Sequence, residues 1–386
     1  MIDSGADDRS DIPCLAMVAN RGYALTSSRR GIIERFLASG WRVVIVSADD
    51  PESRSLQELG AILEPISFHR GGLGVSTDIR CYRRLREVYR KWRPDLIHHF
   101  HAKPVILGSL AARRELAGHC RIINTITGLG RAFTDGGIAA ALAGIGYRLA
   151  LPRANLTVFQ NRDDQALFLE KKWLGQDQAR LIASSGVETE RFASVDRNAR
   201  DDSESIVVMI GRLLKQKGIA EFVEIARRVQ SQNPGVRFLL AGEEESGHAD
   251  AVSIQWVQAQ TEIEYLGRLA DVAPVLARAD LFLFPSYYRE GVPRVILEAA
   301  STGLPAIGFD VPGVREAIRD QETGYLVAPH DIDTMTTRVL ALLNNNVLRL
   351  QMGDAARKLM RASFSRHSIE ERYFDLYHEL CPGVSL

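Results

Sequence analysis

The chain has 386 residues, of which 46% are hydrophobic and 25% charged, and its formal net charge is zero. This length favours two domains over one, and the composition is typical of a globular protein and excludes a low-complexity or fibrous one. Residues 1–195 hold 27 Lys and Arg against 21 Asp and Glu, whereas the remainder holds 21 against 27. The basic half favours anionic partners such as phosphates or lipid headgroups, and the acidic half argues against a nucleic-acid partner.

No local signal predicts a membrane span or an oxidising compartment. No stretch reaches about 18 uninterrupted apolar residues, so no spanning helix is predicted. Residues 1–11 are polar and acidic, which predicts a disordered tail rather than a signal peptide. The four cysteines are far apart and form no C-x-x-C pair, a pattern that favours a reducing cytosol over a zinc site or a disulfide framework. They are Cys14, Cys81, Cys120 and Cys381.

Strands and helices alternate from residue 14 onward. Helical patterns include 29–39, 52–59 and 78–92. Repeated βα units imply a parallel, doubly wound sheet covered on both faces, so the first domain, 12–190, is predicted to be Rossmann-like. Apolar runs predict its strands at 14–19, 42–47, 61–66, 95–100, 121–124, 156–159 and 180–183.

A polar segment with Gly186, residues 184–194, interrupts the alternation, and we place the hinge there. The alternation that follows predicts a second Rossmann-like domain, 191–365, with ligands bound in a cleft at the carboxyl ends of the strands. The last segment, 366–386, contains an amphipathic helix at 368–380. The strands of the second domain are predicted at 206–210, 236–241, 263–266, 281–284, 305–309 and 325–327, with a helix at 219–231.

Two helices of the first domain could contact a lipid surface. The helix at 78–92 and its end are crowded with basic residues, and the basic run from 80 to 93 is interrupted by one acid, Glu87. A basic amphipathic helix can lie on an anionic membrane, although a solvated helix face is commoner. Residues 137–151 form an unusually apolar helix, too short to span a bilayer, which suits either a core or a place beside a lipid acceptor. The basic residues are Arg80, Arg83, Arg84, Arg86, Arg90, Lys91 and Arg93.

Two polar clusters could be interpreted as metal sites. His98, His99 and His101 lie at a strand end, but neighbouring strand residues face opposite ways and no carboxylate spacing supports a site. A structural or acceptor-side role is favoured for them. Asp331 and Asp333 form a D-x-D beside a predicted helix start, which N-capping explains more simply. We therefore expect no metal.

The segment GRLLKQKG, residues 211–218, ends the first strand of the second domain and opens the next helix. Gly211 lets the backbone turn, and Arg212 and Lys217 could neutralise a diphosphate and stabilise it as a leaving group. The segment is not the G-x-G-x-x-G fingerprint, so a dinucleotide site is not favoured. On spacing alone, exposed basic residues without a ligand remain the alternative.

Two glutamates frame the turn between the strand at 281–284 and the helix that follows it. Pro293 is predicted in the first helical turn, where a missing N–H costs nothing, and Glu298 then stands about 7 Å further along the helix axis. The exposed N–H groups between Glu290 and Glu298 would attract phosphate. A nucleotide sugar laid across this helix tip would place its sugar towards Glu290 and its ribose towards Glu298.

The segment EGVPRVILE, residues 290–298, resembles the E-x7-E signature of the retaining family 4 glycosyltransferases, which have the GT-B fold of two Rossmann-like domains facing across a cleft. TGLPAI and DVPGVRE, further on, resemble the same family's continuation. The resemblance implies that Glu290 contacts the donor sugar and that Arg212 and Lys217 grip the donor diphosphate. It also implies a terminal helix that crosses back onto the first domain. The donor-binding residues that it implies are Glu298, Gly211, Gly291, Val292, Arg294 and Val295.

Two further elements are similar to the cleft lining of one branch of that family. HFHAKP, residues 99–104, places His101 and Lys103 on the acceptor side, and T-G-L-G adds Thr127 and Gly128. Many relatives have histidine where Thr127 stands, and this departure argues against a general-acid or carbonyl-binding role there.

The branch that these motifs resemble includes polyprenyl-diphosphate-sugar N-acetylgalactosaminyltransferases and assembles bacterial capsule, O-antigen and glycan precursors. It implies retaining transfer of a hexose or N-acetylhexosamine from a nucleoside diphosphate sugar to a polyprenyl-diphosphate-linked saccharide, without a metal or other cofactor. UDP follows from its frequency in the family and from no residue here. Such an acceptor implies a cytoplasmic enzyme on the inner face of the plasma membrane. Soluble transfer to a small sugar, epimerisation and a non-catalytic nucleotide-sugar sensor remain alternatives.

Overall fold

The structure is a computed structural model that describes residues 12–68, 74–116, 118–193, 204–245 and 247–382. The predicted tail at 1–11 lies outside these residues. The chain divides into two compact units, of which the first comprises Met1–Ile182 with Glu370–Leu386 and the second comprises Ala183–Ile369. Within the described ranges, no helix is long and apolar enough to cross a membrane.

The first unit contains a parallel sheet of seven strands, one for each strand that the sequence predicts in this half. Its spatial order is β3-β2-β1-β4-β5-β6-β7, so the chain builds outward from β1 on one side and then from β4 on the other. Its elements are β1 (Cys14–Val18), α1 (Tyr23–Ala38), β2 (Arg42–Ser47), α2 (Pro51–Gln57), β3 (Ile62–Pro65), α3 (Val75–Trp92), β4 (Leu96–Phe100), α4 (Ala102–Leu116), β5 (Arg121–Ile126), α5 (Gly130–Asp135), α6 (Gly137–Ala150), β6 (Leu156–Phe159), α7 (Arg162–Glu170) and β7 (Ala179–Leu181).

The second unit contains a parallel sheet of six strands in the order β10-β9-β8-β11-β12-β13, again matching the predicted strands. The final helix, α15, begins in this unit and ends in the first. The elements are β8 (Ser205–Ile210), α8 (Ile219–Gln230), β9 (Val236–Ala241), α9 (Ile254–Gln258), β10 (Glu264–Tyr265), α10 (Ala273–Arg278), β11 (Leu281–Phe284), α11 (Arg294–Ser301), β12 (Ala306–Phe309), α12 (Val314–Ala317), β13 (Gly324–Val327), α13 (Ile332–Leu343), α14 (Asn346–Leu359) and α15 (Arg366–Leu380).

Central strands such as β1 and β11 are apolar throughout because helices cover both faces of each sheet. Every residue of β1 is buried, as is every residue of β11. Strictly alternating strands would instead have indicated a sheet with one face in water. The doubly wound architecture predicted for each half is therefore confirmed.

Helix α1 begins six residues earlier than its sequence predicts, the largest such difference among the helices given bounds. α1 starts at Tyr23 rather than at residue 29. The intervening TSS segment has low helix propensity, but Leu25 is fully buried and Ser28 Oγ donates a 2.8 Å hydrogen bond to Ala24 O. Tertiary burial of this first turn overrides its weak local preference.

The two units meet in sequence at 182/183 and again at 369/370, whereas the predicted domains divide at 190/191 and 365/366. The difference arises because the predicted hinge segment packs with the second unit. Val187 N donates to Phe364 O at 2.9 Å, Arg366 N donates to Val187 O at 2.9 Å, and Phe192 belongs to the second core.

Candidate active site

The candidate site lies at the carboxyl ends of β8 and β11, the neighbouring strands between which the order of the second sheet reverses. Leu281 of β11 pairs with Val207 of β8 in parallel register, and Phe282 pairs with Val208. The loops after these strands, 211–218 and 285–293, therefore leave the sheet side by side, at the position where open α/β sheets bind ligands.

The two loops touch because residue 218 has no side chain. Gly218 has φ +83°, and a Cβ placed there would lie 2.0 Å from Pro285 O. The backbone N–H of Tyr287 also donates to Gln216 O at 3.0 Å. This contact fixes the position of Lys217 relative to the second loop.

Lys217 and Glu290 form the central ion pair of the site. Lys217 Nζ lies 2.6 Å from Glu290 Oε1, and the exposed fractions of the two side chains are 7% and 23%. The ammonium group is also 5.4 Å from the ring centroid of Phe284 and 5.3 Å from that of Tyr288. A cation held this way can interact with an anionic ligand without losing its own support.

Arg212 follows β8 directly and contributes a second cation. Its guanidinium pairs with the carboxylate of Glu245 and lies 6.0 Å from the Tyr288 ring centroid. Burial acts to lower the pKa of Arg212, but the Glu245 carboxylate raises it above its ordinary value. The preceding residue, Gly211, is closely approached by backbone, since a Cβ on Gly242 would lie 1.8 Å from Gly211 O.

The tip of α11 lies in the same region. Pro293 is the N-cap of α11, with φ −63° and ψ 114°. The sequence predicted it inside the first helical turn, and it lies one position before that turn. The reason is that its extended ψ keeps Pro293 outside the helix, so Arg294 opens the first turn. The side chain of Pro293 makes no capping hydrogen bond. The N–H groups at the start of α11 therefore receive no cap from it and can be donated to a ligand.

Glu298 and Arg294 face each other on α11. Arg294 Nη2 lies 3.4 Å from Glu298 Oε1, and the Glu298 side chain is 12% exposed. Burial raises the pKa of the Glu298 carboxyl, while the charges of Arg294 and Arg191 oppose part of that rise. Arg294 Nε and Nη1 are buried with no hydrogen-bond partner among the described residues.

The remaining donor-side residues, Val292, Val295 and Gly291, pack against the core or the backbone of the second unit. Val292 is buried in the core of the second unit, and Val295 is partly buried against it. Gly291 is in close contact with Gly313, where a Cβ would lie 1.5 Å from Gly291 O. The structure thus brings Lys217 and Glu290 into contact, with Arg212 beside the same Tyr288 ring, and it pairs Arg294 with Glu298 on the helix that follows the second loop. It adds Glu245 and Tyr288, for which no motif provided a signal.

The two candidate metal clusters have other partners. Asp331 caps α13 by accepting a 3.0 Å hydrogen bond from Thr334 N, which confirms the N-cap interpretation, and Asp333 pairs with Arg228. His98 accepts or donates to Tyr377 Oη and Thr125 Oγ1, both at 2.7 Å. Across the part of the chain that the structure describes, no group of three His, Cys, Asp or Glu side chains could hold a metal.

Burial keeps the two strand histidines, His98 and His99, in their neutral form. Burial and the charge of Arg29 lower the pKa of His98 well below its usual range, and burial lowers the pKa of His99 to about 4. His99 also bonds Tyr89 Oη and Asn124 Oδ1, each at 2.8 Å. Both rings are therefore neutral structural groups at neutral pH.

The predicted acceptor-side residues follow the carboxyl ends of β4 and β5, two neighbouring strands of the first sheet. His101 follows β4 with φ 72°, and Thr127 and Gly128 follow the neighbouring strand β5. Lys103 Nζ is paired with Asp78 Oδ1 at 2.7 Å. Their acceptor-binding role stays a prediction.

Most of the cations on α3 are already paired. Arg84 and Lys91 contact Glu64 at 2.8 and 2.7 Å, and Arg86 and Arg90 contact Glu115 at 2.5 and 3.0 Å. The sequence reveals the basic residues but not these acids from β3 and α4.

Comparison with solved structures identifies the fold. A glycosyltransferase from Rickettsia africae has a solved structure that matches with a TM-score of 0.76 at 16% identity, over 97% of this chain and 100% of the other. This likeness and the two doubly wound units show that the chain has the GT-B fold. The predicted fold class is confirmed.

Sequence comparison gives the family. The family model "Glycosyl transferases group 1" matches residues 190–359, and "Glycosyl transferase 4-like" matches residues 14–161. The N,N'-diacetylbacillosaminyl-diphospho-undecaprenol alpha-1,3-N-acetylgalactosaminyltransferase of Campylobacter jejuni is 25% identical, over 96% of this chain and 100% of its own. The UDP-Gal:alpha-D-GlcNAc-diphosphoundecaprenol alpha-1,3-galactosyltransferase of Escherichia coli is 26% identical, over 80% of this chain and 81% of its own. The chain belongs to the glycosyltransferase family that these two models describe.

Proposed function

We propose that this glycosyltransferase moves a hexose or N-acetylhexosamine, with retention of anomeric configuration, from a UDP-linked donor to a saccharide carried on polyprenyl diphosphate. Its place would be bacterial surface polysaccharide or glycan-precursor assembly. The relatives from Campylobacter and Escherichia are named for acceptors linked to undecaprenol diphosphate, and the second is named for a UDP-sugar donor.

The observation that carries the donor side is the pair of buried guanidinium nitrogens of Arg294, Nε and Nη1, that have no hydrogen-bond partner among the described residues. Buried polar atoms without partners are rare in folded proteins and call for an explanation such as a ligand. Here they lie on the first turn of α11, close to the carboxylate of Glu298. A nucleoside diphosphate would supply the missing acceptors, and Glu298 would accept hydrogen bonds from its ribose.

The chemistry needs charge stabilisation more than it needs a protein nucleophile. In a front-side displacement the acceptor hydroxyl oxygen bonds to the anomeric carbon on the face that the diphosphate leaves, and the hydroxyl proton passes to the departing phosphate oxygen. Arg212, Lys217 and the N–H groups of α11 would stabilise the developing charge on that phosphate. We propose that these cations serve in place of a divalent metal, with Glu290 positioning the sugar and supporting Lys217.

The acceptor would bring the enzyme to the inner face of the plasma membrane. A polyprenyl chain keeps its saccharide at the lipid surface, so transfer requires at least transient contact there. His101, Lys103, Thr127 and Gly128 are the residues that we assign to the acceptor side, because they share one edge of the first sheet.

Donor binding is tested by thermal shift of the purified protein with UDP, GDP and ADP. We expect UDP alone to raise the melting temperature by mass action. Glu298→Ala should lose the shift, and Glu316→Ala, on the short helix α12, is the matched control. A shift with another nucleotide would correct the base, and no shift with any of them would contradict the donor site.

Transfer is tested with radiolabelled UDP-hexoses and UDP-N-acetylhexosamines on a synthetic polyprenyl-diphosphate-linked sugar. Product should form with excess EDTA present, and nuclear magnetic resonance should show the donor's anomeric configuration in it. Turnover of a water-soluble sugar in place of the lipid-linked one would favour the small-acceptor alternative. Conversion of the donor without an acceptor would indicate epimerisation, and binding without turnover would indicate a sensor.

A further inference from the structure

Helix α6 presents a row of large apolar side chains to solvent. Ile138, Leu142, Ile145 and Leu149 are 77%, 41%, 56% and 50% exposed. Their spacing places them on one narrow stripe of the helix, since residues four and then three apart lie above one another. Single exposed apolar residues are ordinary, but four in line on one helix mark an interaction surface.

The opposite face of α6 already holds the helix on the first unit. Tyr147 is buried, a Cβ on Gly144 would lie 2.7 Å from the Trp173 ring, and a Cβ on Gly146 would lie 2.8 Å from Ile106. The two glycines let the helix sit closely against its neighbours. The exposed stripe is therefore not needed for the packing of α6, and folding does not account for it.

The charged residues of α6 and of the turn that follows it are basic. Arg148 is the single charged residue between 136 and 151. Arg153 follows the helix and lines a groove with Arg113 of α4, and exposed Lys172 adjoins Trp173. Over the described parts of the chain, these four cations form no ion pair, in contrast to Arg84, Arg86, Arg90 and Lys91 on α3.

An exposed apolar stripe on a helix whose own charges are basic and unpaired is the pattern of a helix that lies in a membrane interface. The cations would meet lipid phosphates while the stripe enters the boundary between headgroups and acyl chains. Helix α3 presents a weaker membrane-binding surface than α6. Its large exposed apolar residues are confined to its first turns, at Val75 and Ile79, and most of its cations are paired with acids of the same unit.

We propose that α6 is the membrane-docking element of this protein and that its partner is the surface of an anionic phospholipid bilayer. The inference rests on the proposed function, because a polyprenyl-linked acceptor would require the enzyme to bind at the membrane surface. It reassigns the contact that the sequence suggested for the helix at 78–92.

The experiment is co-sedimentation of the full chain with sucrose-loaded vesicles of phosphatidylcholine containing about 30% phosphatidylglycerol, without donor or acceptor. Ile145→Asp and the double change Leu142→Ser/Ile145→Ser should each lower the vesicle partition coefficient at least about tenfold. Arg148→Gln/Arg153→Gln should lower it about fivefold or more at low salt and lose most of its effect at high salt. Val347→Asp, an equally exposed apolar position on α14 of the second unit, is the matched control and should bind like wild type.

Three outcomes would overturn the proposal. Ile145→Asp could bind vesicles like wild type, Ile79→Asp on α3 could release the protein while Ile145→Asp does not, or wild type could form a dimer in sedimentation velocity that Ile145→Asp dissolves without any vesicle binding. The last would assign the stripe to a second copy of the chain. Because the stripe is exposed, these variants should keep the wild-type melting temperature.

The two proposals fail separately. UDP-induced thermal shift reports the donor site in every variant. Vesicle binding that depends on α6 without transfer to a polyprenyl acceptor would remove the proposed function and leave the docking surface. Transfer to a polyprenyl acceptor by a protein whose vesicle binding does not change in the α6 variants would remove the docking surface and leave the proposed function.

Discussion

Lys217 owes its position to three neighbours that spacing alone does not reveal. The Glu290 carboxylate lies 2.6 Å from its ammonium group, and the rings of Phe284 and Tyr288 lie over that group. Lys215, two residues earlier in the same short turn, is exposed. The turn therefore sends one lysine into the site and the other into solvent.

Lys217→Met should lower kcat/KM for transfer about 10- to 100-fold, because a charge-assisted contact to the departing phosphate is lost. Lys215→Met is the control and should leave kcat/KM unchanged. Breaking a buried ion pair also destabilises the fold, so the double change Lys217→Met/Glu290→Gln should recover melting temperature but not activity. Steady-state kinetics and thermal melts of the four proteins decide this, and recovered activity in the double variant would contradict a catalytic role for Lys217.

Glu298 should oppose folding at neutral pH while supporting donor binding. Its folded pKa is raised by burial, so between the unfolded and folded pKa values the folded state binds more protons, and stability falls as pH rises through that window. Glu298→Gln should therefore melt higher than wild type at pH 7.5 but not at pH 4. The same variant should bind UDP about tenfold or more weakly, since an amide accepts ribose hydrogen bonds less well than a carboxylate. Equal pH profiles for the two proteins would show that the carboxylate is not held in a desolvated site.

At the scale of elements, the site depends on close approaches between loops. The segment before α12 lies directly under the Glu290 loop, where Gly313 has φ +85° and a Cβ would lie 1.5 Å from Gly291 O and 2.8 Å from Glu290 O. Such a contact leaves no room for any side chain. Gly313 thus positions Glu290 without touching substrate.

Gly313→Ala should move the Glu290 loop and reduce kcat/KM more than about tenfold, with a loss of stability larger than the roughly 1–2 kcal/mol of a left-handed alanine. Gly40→Ala is the control, because Gly40 has a similar positive φ of +79° and no atom lies within 4 Å of the added Cβ. It should show the backbone cost alone and full activity. Chemical denaturation and transfer kinetics measure both effects, and equal losses in the two variants would mean that the close approach is not real.

At the scale of the whole molecule, the chain returns to its first unit through the end of α15. Tyr373 Oη accepts a 2.9 Å hydrogen bond from buried Arg29, and Tyr377 Oη bonds His98 Nδ1 at 2.7 Å. Arg180 on β7 also pairs with Glu379 at 2.6 Å. The first unit therefore requires residues from both ends of the chain, although their sequence separation carries a large entropic cost of closure.

Tyr377→Phe should lower the unfolding free energy by about 1–3 kcal/mol, because a nitrogen of buried His98 is left without its partner. Tyr23→Phe, on an exposed residue of the first unit, should change it little. Urea denaturation followed by tryptophan fluorescence compares them. An unchanged midpoint in Tyr377→Phe would show that the terminal helix is not bonded to β4 through this hydroxyl.

The sequence by itself determined the features that depend on neighbouring residues. Apolar runs bounded by glycine and proline predicted all strands of both sheets, because a buried parallel strand needs a continuous apolar segment wherever it lies. The E-x7-E and GRLLKQKG segments identified Glu290, Glu298, Arg212 and Lys217, because a loop followed by a helix presents its residues to a ligand in a local arrangement.

Only the tertiary structure decided which distant groups meet. Glu245 beside Arg212, Gly313 beneath Gly291, the acids that neutralise α3 and the exposed stripe of α6 all depend on contacts between elements far apart in sequence. The periodicity of a helix shows that it has an apolar face but not whether a partner covers that face. For this reason the sequence left both the basic helix and the apolar helix at 137–151 as candidates for lipid contact, and burial favoured the second of them, α6.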